Sequence, residues 1–541
     1  MQHTAHPRVA TRLAWAVGSI GAGALALFIA AHHPLAPAPA AVVLLAWIAV
    51  AYRYPSAWLF VLPACLPWLN FSPWTGWIGV EEFDILVLGA ISAGFARMAA
   101  DSSDAPPPLT FAGRALLCVT VALAVLGLAR GWSDAGGWHL DWFQGYTEAL
   151  NTWRVSKSIV FMLLLTALLR RATWLDRALA HRRFAAGMAA GALVVALAVV
   201  SERAAYPGLL DISAHYRTTA WFWEMHVGGA AIDTYVVLCT PFVAWTVWAS
   251  RRWWQWLLAA AFSLLWAYVC LTTFSRGAYG GIAVGLLVAG ALLPTGAARW
   301  RSLARWLGFV VGVALLLALA LEGAGYAAAG LVLLALAAAL WLHWRARGRA
   351  ELRALALGLL GLGLVFEAIV MIGPDSFMRA RISGNLLDYE SRRVHWARGV
   401  GLLSGADAWL WGLGAGRLPA NYDARAPRGE FSGTASLVSD APGLATVRIA
   451  GPRTRARLGG LFGLTQRVPL HPHYTLRLDA RSAGAMLMAK VCESHLLYDR
   501  NCQAAWVAVP PSDGRQWVNL KVPLDGAALD SGDWFAPRQG V

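Results

Sequence analysis

The feature that most constrains this chain is a long succession of apolar runs punctuated by arginine. Runs able to cross a hydrocarbon core of about 30 Å fall near 13–31, 36–52, 55–70, 84–100, 112–130, 154–170, 184–201, 228–249, 253–274, 277–295, 304–321, 325–343 and 352–373. They predict a mainly α polytopic membrane bundle of about thirteen transmembrane helices. With 58% hydrophobic and only 14% charged residues, the chain lies outside the range of soluble domains. The first run lacks a small-residue cleavage site before His32, so it reads as a retained helix and not a signal peptide.

A formal charge of +15 invites a nucleic-acid reading, but the basic residues are mostly arginines in short clusters between apolar runs. That placement sets membrane topology and excludes a nucleic-acid partner. Placing Arg8 and Arg12 on the cytoplasmic side puts Arg53, Arg97, Arg170, Arg171, Arg182, Arg183, Arg251, Arg252, Arg299, Arg301, Arg305 and the 345–353 cluster on the same side. The loops 71–83 and 131–153 face the other way; they contain no Lys or Arg and are rich in Trp. Their tryptophans read as an aromatic belt at headgroup level, with sugar-stacking platforms as the alternative.

Thirteen spans bring the chain out on the far side after Ile372. The expected organisation is a helical bundle over 1–373, a periplasmic helical segment over 374–428 and a periplasmic β-sandwich over 429–541. Residues 386–403 alternate polar and apolar positions at helical spacing. Thr446–Ala450, Tyr474–Arg481, Met486–Cys492 and Trp517–Leu524 alternate at strand spacing between turn residues, which points to a sandwich. No closing strand is expected after Trp534, and the domain is expected to be incomplete at 541. Cys65, Cys118, Cys239 and Cys270 lie in apolar runs and read as small core residues. Cys492 and Cys502 lie in the polar region, either as disulfide partners or as two free thiols.

Arginine at an outer helix end opposes the positive-inside bias and needs a reason. Arg217 sits in HYRTTAWFWEMHVGGAA, and Arg276 sits where one span turns directly into the next in LTTFSRGAYGG. A guanidinium there either snorkels to lipid phosphate or forms bidentate contacts with a bound phosphate; two on one face make a site for a diphosphate. Arg154 and Lys157, three residues apart and so on one helix face, are further candidates for it, with lipid headgroups again the alternative. His395, in a segment dense with Arg379, Arg381, Asp388, Glu390, Arg392 and Arg393, is the candidate general base. A structural role is its competing reading, and His215 and His226 are rivals for the catalytic one. No metal-ligand spacing, nucleotide loop or Ser/His/Asp signature is present; neither a metal nor a cofactor is expected.

In order and sidedness, the segments 216–230 (YRTTAWFWEMHVGGA), 271–282 (LTTFSRGAYGGI) and 390–422, where a Trp/Arg-containing helix leads into Gly412-x-Gly-x-Gly416, resemble the O-antigen ligase and O-antigen polymerase superfamily of bacterial membrane glycosyltransferases. The resemblance covers roughly residues 80–422. It implies metal-independent transfer of glycan from an undecaprenyl-diphosphate-linked donor to a glycan or lipid acceptor, at the periplasmic face of the inner membrane among its lipids. The arginines that hold the diphosphate map onto Arg217 and Arg276. Members commonly carry a catalytic His, often followed by Asn, in the large outer loop; no such pair is present, so the base is either His395 or lies beyond residue 541. The strand-rich segment resembles a carbohydrate-binding module. Competing accounts are a transporter or flippase of envelope lipids or polysaccharide, against which stands the lack of an internal repeat, and a non-catalytic assembly protein.

Overall fold

A computed structural model describes residues 6–33, 36–69, 80–101, 106–138, 148–222, 230–292, 298–347, 352–383, 385–425, 434–441, 444–451, 468–482, 484–495, 498–511, 516–532 and 538–540. Its helices are α1 (His6–Ala31), α2 (Pro37–Arg53), α3 (Trp58–Cys65), α4 (Glu82–Ala100), α5 (Phe111–Asp134), α6 (Ala149–Leu175), α7 (Arg177–Ala205) and α8 (Ala230–Ala249). They continue with α9 (Trp253–Thr272), α10 (Arg276–Leu292), α11 (Ala298–Arg347), α12 (Leu352–Ile372), α13 (Phe377–Ser383), α14 (Asn385–Gly401), α15 (Ala406–Trp411) and α16 (Leu418–Ala424). Seven strands come after them: β1 (Thr434–Ala441), β2 (Leu444–Ala450), β3 (Thr475–Ala480), β4 (Ala485–His495), β5 (Tyr498–Val509), β6 (Val518–Pro523) and β7 (Gln539–Gly540).

Among the described residues, nine helical stretches are long and apolar enough to cross a bilayer, which makes this a multi-pass membrane protein. Among the described residues the expected count of thirteen is not reached: three of the expected segments form short helices and two others share one kinked helix. Segment 36–52 forms the 17-residue α2, which at 1.5 Å per residue spans about 26 Å, and the described part of 277–295 lies in α10, which is described to Leu292. Segment 55–70, with prolines at 55, 63 and 67, yields only the eight-residue α3. The stretches 304–321 and 325–343 are the two limbs of α11, broken at Gly325 with φ 76° and ψ −170°.

The limbs of α11 fold back on each other. An added Cβ at Gly373, just past α12, would lie 3.0 Å from Leu321, while one at Gly358, early in α12, would lie 3.2 Å from Leu340. The first limb therefore runs parallel to α12 and the second antiparallel. Val313, Leu317 and Leu362 form their shared core, with Leu333, Leu336 and Phe366 packed around it.

The chain divides into two compact units. The first comprises Met1–Val194, Phe242–Arg252 and Arg381–Phe462; the second comprises Val195–Pro241, Trp253–Ala380 and Gly463–Val541. In the first, α4 is the central helix, packed by α1 and α2 around Trp47, Val87, Ile91, Phe95 and Leu168. Ser19 and Ser92 hydrogen-bond each other's backbone carbonyls at 2.8 and 2.9 Å, polar adhesion suited to a helix pair in lipid. The first unit also contains the antiparallel hairpin β1–β2.

In the second unit, β3 pairs with β6, and β4 lies between β5 and β7, the last a two-residue strand after Trp534 where none was expected. These small sheets, with β1–β2 in the other unit, replace the single sandwich expected over 429–541. Alternation does locate β2, β3, β4 and β6, whereas β5 (YDRNCQAAWVAV) carries a polar first half and no comparable pattern. Cys492 and Cys502 face each other across β4–β5 and form a disulfide.

Glu493, fully buried beside that disulfide, accepts from the Asp530 N–H (2.7 Å), Asn501 Nδ2 (3.2 Å) and Arg538 Nη1 (2.7 Å). Burial alone raises its pKa, but these donors outweigh it and hold the carboxyl below the usual glutamate range. A depressed folded-state pKa contributes stability above the unfolded value of about 4.3 and loses it as pH falls through the lower folded value. Acid melting followed by strand circular dichroism should therefore loosen this region below about pH 4. Arg538→Ala should destabilise it by about 3 kcal/mol, since a buried carboxylate loses its cation.

Candidate functional site

In the second unit, two consecutive charged residues near the end of α7 organise the loop that leads away from that helix. Glu202 (3% exposed) accepts from the Tyr216 hydroxyl at 2.9 Å, the Thr219 N–H at 3.0 Å and the Ala220 N–H at 2.7 Å. Arg203 (0% exposed) donates from Nη2 to the carbonyls of Gly208, at 3.2 Å, and Asp211. Gly208, at φ 98°, lets the chain leave the helix in a left-handed turn. Asp211 closes the next turn through Oδ1, which accepts from the Ser213 hydroxyl and the Ser213 and Ala214 N–H groups. The Ser213 hydroxyl, then the Ala214 amide, hold its carboxyl below the usual aspartate range.

The loop pinned in this way presents Arg217. Its Nε donates to the Thr273 carbonyl at 2.7 Å, Nη2 meets Asp233 Oδ2 at 2.9 Å, and the neighbouring Thr218 N–H reaches the Thr272 carbonyl at 3.4 Å. Residues 217–218 therefore lie against 272–273, just before Arg276. Ser275 caps α10 by accepting from the Ala278 N–H at 3.3 Å, which makes Arg276 the first residue of that helix. The two candidate arginines thus stand on abutting segments, and α10 directs its positive dipole end to the same place.

Backbone strain marks this junction. Among the described residues, Ala220 (φ 45°) and Phe274 (φ 46°) are the two non-glycine positions with left-handed φ, one on each of the abutting segments. Such conformations cost roughly 1–3 kcal/mol each and persist where their surroundings enforce them. Glu202 enforces the first. The second is enforced by complete burial of Phe274 against Phe377, with ring centroids 5.5 Å apart.

No protein-family model, curated protein or solved structure matches this chain.

In the first unit, the Gly412-x-Gly-x-Gly416 turn fits between the end of α5 and the start of α6. Gly414 (φ 102°) and Gly416 (φ 71°) leave no room for a side chain: added Cβ atoms would lie 2.6 Å from the Gly131 backbone and 2.6 Å from the Asn151 carbonyl oxygen. The Ala415 N–H donates to the Gly127 carbonyl at 2.9 Å, and Asn151 Nδ2 to the Gly416 carbonyl at 2.6 Å. Arg417, 6% exposed, pairs with Asp134 at 2.7 Å. His395 is exposed on α14, with Nδ1 3.2 Å from the Tyr422 hydroxyl on α16.

Arg154 and Lys157 are one turn apart on α6 as spacing requires, but they have different partners. Arg154 Nε donates to Asn151 Oδ1 at 2.8 Å, whereas buried Lys157 lies between Asp84 at 3.0 Å and Glu81 at 3.1 Å. Two carboxylates around one ammonium make the Lys157 cluster net negative. This corrects the expectation of a shared cationic face, and a diphosphate is not drawn to such a cluster. Of the rival histidines, His215 packs against Phe377 with ring centroids 4.6 Å apart and planes tilted by 36°, and His226 lies outside the described residues.

Glu202, Arg203 and Asp233 belong to no motif that the sequence offers, and Arg417, within segment 390–422, has no role assigned to it there. For the first three a signal does exist: each is a charge inside or at the edge of an apolar run, where an ionisable group needs a specific partner.

Proposed function

We propose that this chain is a metal-independent glycosyltransferase of the bacterial inner membrane. It moves glycan at the periplasmic face from an undecaprenyl-diphosphate-linked donor to a glycan or lipid acceptor, as polymerase or ligase. The observation that carries this reading is the junction of residues 217–218 with 272–276. It places two arginine-bearing segments and a helix N-terminus together, with a left-handed non-glycine residue on each segment.

Chemically, an acceptor hydroxyl attacks the anomeric carbon, the carbon–oxygen bond to the diphosphate breaks, and the electron pair leaves with the diphosphate. Fixed guanidinium groups stabilise that developing charge electrostatically. The proton passes to a general base. The Asp233 pairing holds Arg217 ready, and an arriving diphosphate exchanges with that carboxylate. The N-terminus is cytoplasmic in this reading and the strand region periplasmic. The Cys492–Cys502 disulfide supports that side, since disulfides persist in oxidising compartments.

The test is transfer of glycan by purified protein in proteoliposomes, alongside polymer or conjugate formation in cells. Arg276→Ala should abolish product while membrane insertion and protein amount stay unchanged. Arg276→Lys, which keeps charge but loses the planar fork, should lower the rate by about 10- to 100-fold, the equivalent of one charge-assisted contact. Wild-type product from Arg276→Ala would end this reading.

A further inference from the structure

The helix that carries His395 has a face that the described residues leave uncovered. Residues 389, 390, 392–398 and 400 of α14 are exposed. At 3.6 residues per turn, Tyr389, Trp396 and Val400 align in one stripe, exposed by 58%, 60% and 53%. The Tyr389 and Trp396 rings meet edge-on with centroids 6.4 Å apart. Arg392 and Arg393 flank this stripe on either side; Arg393 pairs with Glu390 at 2.6 and 3.0 Å, an exposed pair that a lipid phosphate can displace.

The height of α14 relative to the bilayer is set by contacts within the first unit. α5 has the length and apolarity of a membrane span and ends at Asp134. Asp134 holds Arg417 at 2.7 Å and Asn421 at 3.1 Å, which seats the start of α16 on the end of that span. Tyr422, the next residue, meets His395 of α14. An amphipathic helix fixed beside the end of a membrane span lies where hydrocarbon gives way to headgroups. Tyr and Trp partition to that level, and arginines beside them reach lipid phosphate.

We propose that α14 is an interfacial helix, docking its Tyr389–Trp396–Val400 face into the headgroup layer of the bilayer that α5 spans. Arg392 and Arg393 bind anionic lipid phosphate there. This docking depends on geometry and charge, and holds whether or not the chain transfers glycan.

The test uses the full chain with Cys65, Cys118, Cys239 and Cys270 replaced by alanine and the 492–502 disulfide kept. One spin label at a time is attached after Tyr389→Cys, Val394→Cys, Trp396→Cys, Arg398→Cys or Val400→Cys. The protein is reconstituted in phosphatidylcholine nanodiscs with and without phosphatidylglycerol. Relative access to oxygen and to a water-soluble nickel complex gives the depth of each label. Labels at 389, 396 and 400 should report lipid, and labels at 394 and 398 should report water, with a greater depth contrast when phosphatidylglycerol is present. Combining Arg392→Ala with Arg393→Ala should abolish that lipid preference. Water access at all five positions overturns the proposal, as does exclusion of both reagents at 396, the signature of a protein partner. An anionic-lipid preference that survives loss of both arginines overturns the role given to them.

Discussion

Glu202→Ala is expected to release the loop that carries Arg217 and to stop product formation without touching any residue proposed to meet the donor. The carboxylate serves the Tyr216 hydroxyl and the Thr219 and Ala220 N–H groups, and all three residues are buried. A buried donor left unpaired costs about 1–3 kcal/mol, so losing all three costs about 3–5 kcal/mol after some water enters. Ala220 then has nothing to hold its left-handed conformation, and relaxation of residue 220 pulls 217–218 away from 272–273. Hydrogen–deuterium exchange should show the Thr218 and Ala220 amides losing protection, with the membrane helices unchanged. Tyr216→Phe removes one donor and leaves the rest, so it should cost only about 1 kcal/mol and keep product. Unchanged protection at Ala220 in Glu202→Ala would show that the turn holds itself.

Gly414→Ala should be nearly as damaging, for a different reason. Its φ of 102° disfavours any side chain, and the new Cβ would meet backbone atoms of Gly131 at 2.6 Å, which cannot rotate aside as a side chain does. Strain of about 1–3 kcal/mol adds to an overpacking cost of about 1–3 kcal/mol. The turn lifts from α5, the hydrogen bond from the Ala415 N–H to Gly127 opens, and the Arg417–Asp134 pair is strained. Loss of exchange protection at Ala415 and a lower thermal midpoint would register this. Gly399→Ala is the control: a Cβ there meets nothing within 4 Å inside a helix, so stability should hold or rise slightly. Equal melting of the two variants would mean that the turn does not need its glycines.

The membrane character was legible from the chain because a helix satisfies its own backbone locally and a bilayer demands some 20 apolar residues in a row. Where apolar runs were 17 residues long or dense in proline, as at α2 and α3, the same rule overcounted. The break at Gly325 was readable as a boundary between two spans, but not as a fold-back against α12. Strands with clean alternation were recoverable. Their partners were not, since register is set between segments and β5 has no pattern of its own.

Sequence alone therefore determined that the chain lives in a bilayer and where most of its helices lie, and it singled out Arg217 and Arg276 as arginines that the positive-inside bias does not explain. Only the tertiary structure decided which charges meet: Arg217 with Asp233, Lys157 with Asp84 and Glu81, Arg417 with Asp134, and Glu202 with neutral donors. A helix arises from hydrogen bonds four residues apart. An ion pair between residues 283 positions apart, like Arg417 and Asp134, depends on how whole helices pack, and no local pattern encodes that.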